Sequence, residues 1–151
     1  MKKILISGCL YGDVVRYDGN KVDWAPPLFR KWKEEGRLVP VCPEVFGGLP
    51  VPRSDCQRVG ELVKTRLGED VTEAFRRGAE EAVRLAKEYE VAFAIMKERS
   101  PSCGSSIVYD GSFSGNKIPG EGLAVQHLRE AGFSVYNEDQ LEQAIQENAL
   151  V

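Results

Sequence analysis

Four cysteines, Cys9, Cys42, Cys56 and Cys103, are the side chains of this sequence best suited to unusual chemistry. Three of them stand beside glycine or proline, as Gly8-Cys9, Cys42-Pro43 and Ser102-Cys103-Gly104. The stretch ERSPSCGSS (98–106) surrounds Cys103 with hydroxyls and turn residues. Glycine lets backbone N–H groups turn toward an anionic centre, an arrangement common around iron–sulfur sites and phosphates. Hydroxyls and amides can also donate to bound thiolate sulfurs. Three thiolates fall one short of the set that closes a structural zinc site or fully ligates a cluster. A catalytic metal centre needs that shortfall, because substrate or water takes the open position. Glu44, two residues past Cys42, is placed to act beside such an opening as acid or base. Any one cysteine alone reads first as a small core side chain. The three together point to a site.

Thiols so far apart in the chain meet only if the fold gathers them. KILIS (3–7) reads as a short buried strand ending at Gly8-Cys9. Pro26-Pro27 opens a helix carrying Leu28, Phe29 and Trp32, closed by Gly36. RLVPVC (37–42) reads as a second strand, weakened by Pro40, which lacks a ladder donor. Residues 43–69 read mostly as a long loop, of a length that leans functional. Asp70-Val71-Thr72-Glu73 resembles a capping box, and apolar residues from Val71 to Tyr89 recur behind it at helical spacing. VAFAIM (91–96) reads as a central strand buried on both faces. After a Gly/Ser-rich stretch with a short strand near 106–109, a helix near 122–131, a strand FSVYN (133–137) and a final helix capped by Asn137 and Gln140 follow. This alternation predicts a single-domain, three-layer α/β/α architecture over residues 1–151, with a mostly parallel, Rossmann-like sheet. Cys9, Cys42 and Cys103 then follow three strands whose carboxyl ends share one edge, where such folds bind ligands. Cys56 lies in the long loop and has no such address.

A chain of 151 residues with 42% hydrophobic and 28% charged residues has the composition of an ordinary globular domain. Its net charge of −3 provides no basic footprint for nucleic-acid phosphates, but leaves room for a small neutral base in a pocket. The apolar run after Lys2-Lys3 is broken at Gly12-Asp13, too early for a signal peptide, and no stretch approaches a membrane span. The expectation is a cytoplasmic protein whose cysteines are thiols, ligands or catalysts rather than disulfides.

CLYGDVVRYDG (9–19), CPEVFGGLPVPR (42–53), GEDVTEAFRRGA (68–79), KERSPSCGSSIVYDGSFSG (97–115) and GEG (120–122) carry a resemblance over nearly the whole chain. In order and spacing they resemble the bacterial family filed as domain of unknown function 523, which includes thiouracil desulfidases. The resemblance implies non-redox desulfuration by a 4Fe–4S cluster held by Cys9, Cys42 and Cys103. The iron without a protein ligand would capture the sulfur of a thiolated pyrimidine base such as 2-thiouracil, giving uracil and sulfide. It further implies that Glu44 activates water or shuttles protons and that Ser100 hydrogen-bonds the substrate or the bound sulfur. The implied partner is a small thiolated nucleobase, with neither nucleic acid nor membrane. Where the family often continues after PR with a Pro-rich stretch and a glutamate, this chain reads Ser54-Asp55-Cys56-Gln57.

Arg16, Asp18 and Ser102 are candidate substrate-binding residues, Arg16 and Asp18 reading equally as part of a charged turn. Arg53 reads as a neutraliser of cluster charge or as a solvated loop arginine. Of Lys97 and Glu98, strand alternation predicts that one rather than both faces the site. His127 reads as a surface residue, and Trp24 and Trp32 as core. Ser112 to Gly115 read as a loop that closes over a ligand or simply connects two elements. Two other functions remain open from the residues: a thiol enzyme or redox protein using Cys103 with Ser102 and Ser105, and a nucleobase-binding module without chemistry. Against them stand the absence of C-x-x-C, and a first glycine loop, GCLYGD, too sparse to cradle phosphate.

Overall fold

A computed structural model describes residues 2–12, 17–19 and 24–148. Its centre is a four-stranded parallel sheet in the order β2-β1-β5-β8, formed by β1 (Ile4–Ser7), β2 (Leu38–Val41), β5 (Phe93–Met96) and β8 (Val135–Asn137). Side-chain alternation sorts the core into two layers. Ile4, Ile6, Phe93 and Ile95 point to α2 (Pro27–Glu34) and α6 (Leu141–Glu147), where Phe29, Trp32 and Ala144 meet them. Leu5, Ala94 and Met96 point the other way, to α4 (Thr72–Glu88) and α5 (Leu123–Glu130), through Phe75, Ala79, Ala82 and Leu128. The three-layer α/β/α expectation holds. Pro40 is accommodated because β2 is an edge strand and the proline itself is exposed.

Two turns carry the site: α1 (Gly8–Tyr11), directly after β1, and α3 (Pro43–Phe46), directly after β2. The expected long loop at 43–69 instead contains α3 and an antiparallel hairpin, β3 (Cys56–Val59) with β4 (Leu62–Thr65). Gly60, at φ +62°, opens its two-residue turn. A second hairpin pairs β6 (Ile107–Tyr109) with β7 (Lys117–Pro119) across residues 110–116. Neither hairpin has a periodic apolar face of its own. The two lean on each other instead: Gln57 Oε1 accepts the Gly111 N–H at 3.0 Å, and the Arg66 guanidinium stacks 5.1 Å from the Phe113 ring.

The expected capping box does not form. Asp70 Oδ1 accepts the Thr72 N–H at 2.9 Å, while the Thr72 hydroxyl accepts the Val63 N–H, tying α4 to β4. Glu73 pairs forward with Arg76 instead of reaching back to the cap. No helix among the described residues is long and apolar enough to cross a membrane.

Candidate active site

The strand order reverses between β1 and β5, since the chain steps from β1 outward to β2 and then returns across to β5. Ligands of open α/β sheets bind beyond the carboxyl ends of the strands at such a reversal. A cavity of about 490 Å³ lies there, bordered by Cys9, Cys42 and Cys103. Each thiol is delivered by the segment that follows its strand. Cys9 sits in α1, whose exit at Gly12 takes φ +116°, a conformation that favours glycine. Cys42 is the N-cap of α3; its sulfur makes no capping hydrogen bond, but the nearby N–H groups of Val45 and Glu44 favour its thiolate form.

Cys103 is held by a tighter construction. Ser100 Oγ accepts the N–H groups of Ser102 at 3.1 Å and Cys103 at 3.0 Å, folding the loop back on itself. The loop carbonyls then dock on the start of α5. Leu123 N–H donates to Pro101 O at 2.8 Å, and Ala124 N–H to Ser102 O at 2.9 Å. Gly122 makes this approach possible, because a Cβ there would lie 2.4 Å from the Ser102 carbonyl carbon. On the far side Glu98 accepts the N–H groups of Ser105, Ser106 and Ile107, both serine hydroxyls, and Asn137 Nδ2.

Burial is the largest influence on all four thiols. It pushes Cys9 up to about 11, Cys56 and Cys103 up to about 12, and raises Cys42 as well. Cys42 adds to the shift of Cys9, and both add to that of Cys103, so the three sulfurs lie in one another's field. Lys97 opposes the rise at Cys9. Cys56 borders the same cavity but feels Glu44, Arg53 and Asp55, and its thiol donates to the Ser54 carbonyl at 3.3 Å. Cys56 therefore stands apart from the trio.

Glu44 hangs over the cavity with its two oxygens in different company. Oε1 accepts from Arg53 Nε at 3.2 Å. Oε2 accepts the Ser102 hydroxyl at 2.9 Å and the Ser100 hydroxyl at 3.4 Å. The Ser102 hydroxyl also lies 3.5 Å from Cys103 Sγ, so a continuous polar path joins Arg53, Glu44, Ser102 and the Cys103 thiol. Arg53 is 5% exposed at its side chain, which makes it part of the site and not a solvated loop arginine.

Lys97 and Glu98 both border the cavity, against the alternation expected, because β5 ends at Met96 and the chain past it is irregular. Asp18 is half-buried beside Tyr17; Tyr17 borders the cavity and Asp18 does not. Arg16 lies outside the described residues. His127 turns Nδ1 to the Leu123 carbonyl on α5, and Trp32 packs in the core. The roles of Gly122 and Gly78 escape sequence reading, since each depends on a chain segment that folding alone brings near.

Three soft sulfur donors on one cavity suit iron–sulfur chemistry. Among the described residues, no three cysteine, histidine or carboxylate side chains close on a point that would hold a single ion. A cubane spreads its cysteines over separate irons and has no need of such a point. Arg53 and Lys97 bring positive charge to the rim, and backbone amides face Cys9 and Cys42. As free thiols these cysteines are protonated near neutral pH, and loading a cluster would release those protons. The same property, with no histidine on the cavity, argues against a thiolate nucleophile.

Comparison with known proteins agrees with this geometry. The sequence profile described as 2-thiouracil desulfurase matches residues 4–140. The solved structure of a [4Fe-4S]-dependent thiouracil desulfidase, TudS, is 44% identical, superposes with a TM-score of 0.97, and matches over 100% of both chains. The uncharacterised protein YbbK of Bacillus subtilis (strain 168) is 39% identical over 148 residues, covering 91% of this chain and 97% of its own.

Proposed function

Because the chain belongs to the 2-thiouracil desulfurase family, we propose that it is an iron–sulfur desulfidase converting a thiolated pyrimidine such as 2-thiouracil, with water, to uracil and sulfide. The observation that carries this reading is the convergence of Cys9, Cys42 and Cys103 with Glu44 on one cavity. In the balanced reaction the water oxygen bonds to the ring carbon, the carbon–sulfur bond breaks, and the sulfur leaves with both water protons. The carbon keeps its oxidation level, so no external electron donor is consumed. We place the reaction in the cytoplasm, where thiols stay reduced.

When bound by Cys9, Cys42 and Cys103, a 4Fe–4S cluster supplies a thiophilic iron without a protein ligand as acceptor for the substrate sulfur. The rest falls to the side chains. Arg53 occupies Oε1 of Glu44 and fixes the carboxylate, leaving Oε2 as the oxygen that takes a proton from water. Ser102, bridging Oε2 and the Cys103 sulfur edge, gives that proton a route toward the departing sulfur. Ser100 holds the loop through two backbone N–H groups and keeps its own hydroxyl directed at Glu44. Its first role is thus to position, with Ser102 nearer the proton path.

Anaerobic reconstitution with iron and sulfide is the test. About four irons per chain are expected, with uracil and sulfide formed from 2-thiouracil. Cys103→Ala should lose iron and turnover together. Glu44→Gln should keep iron while turnover falls by about 10²–10⁴-fold. Failure to bind iron without oxygen would remove the reading. Full turnover in Glu44→Gln would remove the carboxylate from the mechanism.

A further inference from the structure

Ser7 closes β1 at the strand reversal, is 1% exposed, and borders the same cavity as the three thiols. Its Oγ accepts the Lys97 N–H at 2.9 Å, which pins the hydroxyl to the residue that follows β5. One lone pair is thereby taken, and the hydroxyl proton remains to be placed. Two sulfurs compete for it. Met96 Sδ lies 3.7 Å away, and the Cys103 thiol is near enough for the hydroxyl to hydrogen-bond it and act against the effect of burial. A thioether is a weak acceptor, whereas a thiolate carries the negative charge that strengthens a hydrogen bond. The hydroxyl next to Cys103 in the chain is already committed. Ser102 Oγ lies 3.5 Å from Cys103 Sγ, but its single proton goes to Glu44 Oε2 at 2.9 Å. Ser7 therefore holds the proton that is free for the Cys103 sulfur.

We propose that Ser7 is a positioning residue of the cluster site, whose hydroxyl donates to the Cys103 thiolate, fixing that sulfur and drawing charge from it. This rests on the desulfidase reading for the identity of the group that Cys103 ligates. A hydrogen bond to a ligand sulfur favours the more negative, reduced form of a cluster and so raises its reduction potential. The same withdrawal of charge leaves an open iron a better acceptor for soft sulfur. The anchor also spans the sheet. Ser7 stands two residues before Cys9, and Lys97 stands six before Cys103. One hydroxyl thus ties together two segments that each carry a ligand.

Ser7→Ala removes the donor, and Ser7→Thr restores it on a side chain that suits a strand. Iron per chain and the reduction midpoint of the cluster are measured on anaerobically reconstituted protein, for both variants beside the native chain. Both should keep about four irons per chain. In Ser7→Ala the midpoint should move to a more negative potential, and in Ser7→Thr it should return to the native value. Thermal melts of the iron-free chains expose a role in packing alone, which lowers stability and leaves the potential where it was. A native potential in iron-loaded Ser7→Ala overturns the proposal, as does a fall that Ser7→Thr fails to reverse. Loss of the cluster in Ser7→Ala with retention in Ser7→Thr supports the same hydroxyl as a condition of loading; loss in both overturns it. A native chain that binds no iron sinks the desulfidase reading and this role together. Iron and sulfide release in the native chain, with an unmoved potential in Ser7→Ala, sinks this role alone.

Discussion

A carboxylate buried among neutral donors behaves differently from one fixed by a cation, and this chain places one of each around Cys103. Glu44 is held by Arg53 on one oxygen and accepts the Ser102 and Ser100 hydroxyls on the other, beside the cavity. Glu98, 8% exposed, is enclosed by the amides of 105–107, two hydroxyls and Asn137. Burial, the largest influence on Glu98, pushes its carboxyl up, but the amides and hydroxyl of Ser106 with the amides of Ile107 and Ser105 together outweigh it. The result lies at about 2, below the ordinary 4.5. A depressed carboxyl stabilises the fold fully above the unfolded value and loses that contribution as pH falls through the folded one. The window for Glu98 therefore runs from about pH 5 down to about 2, for up to about 3 kcal/mol. Glu98→Gln should lower stability at neutral pH by about 1–3 kcal/mol and flatten the acid limb. Urea midpoints between pH 2 and 7 measure both, and an unchanged acid limb would show that this carboxyl does not govern it.

At the scale of elements, the position of Cys42 depends on how closely α3 approaches α4. A Cβ on Gly78 would lie 1.9 Å from the Pro43 carbonyl oxygen, and one on Gly47 would lie 2.0 Å from that of Ala74. Both contacts are with backbone, so no side chain can yield. Gly78→Ala should push α3 outward, cost about 1–3 kcal/mol and weaken iron binding. Iron counts after reconstitution, set beside thermal melts, would show whether site and stability fall together. Gly78 was legible in the sequence only as one small residue among the apolar positions of α4, because its constraint comes from a segment more than thirty residues earlier. β1 and β5 were legible because burial on both faces leaves a continuous apolar run, as ILIS and FAIM show. β3 and β4 were not. CQRV and LVKT mix polar and apolar residues, and Gln57 is buried only because the second hairpin covers it. Likewise Thr72 could not be read as a tie to β4, and its capture by Val63 displaces the cap expected at Asp70. Three of the four thiols had an address in the chain, whereas Gln57 and Arg53 acquired theirs from tertiary contacts.

For the molecule as a whole, the three thiols are minor members of the core: Cys103 joins one layer and Cys9 packs against the other, each as one small side chain among many larger ones. Ile4, Ile6, Phe93 and Ile95 pack against α2 and α6, away from the cavity. The triple variant Cys9→Ala, Cys42→Ala, Cys103→Ala should therefore keep its far-ultraviolet circular dichroism. Cluster loading of the native chain should raise the thermal midpoint, since a group bound only by the folded state stabilises it; equal midpoints with and without iron would speak against one group tying the segments after β1, β2 and β5. The two hairpins enter the frame at separate points, after β2 and after β5, and grip each other through Gln57 and Arg66. Neither contributes a strand to the parallel sheet. The part of the cavity wall that the hairpins supply, through Cys56, Gln57, Tyr109 and Gly115, is thus modular, and its halves are matched. A graft between relatives that exchanged both hairpins together would keep this wall intact, while a graft of one alone would break the match.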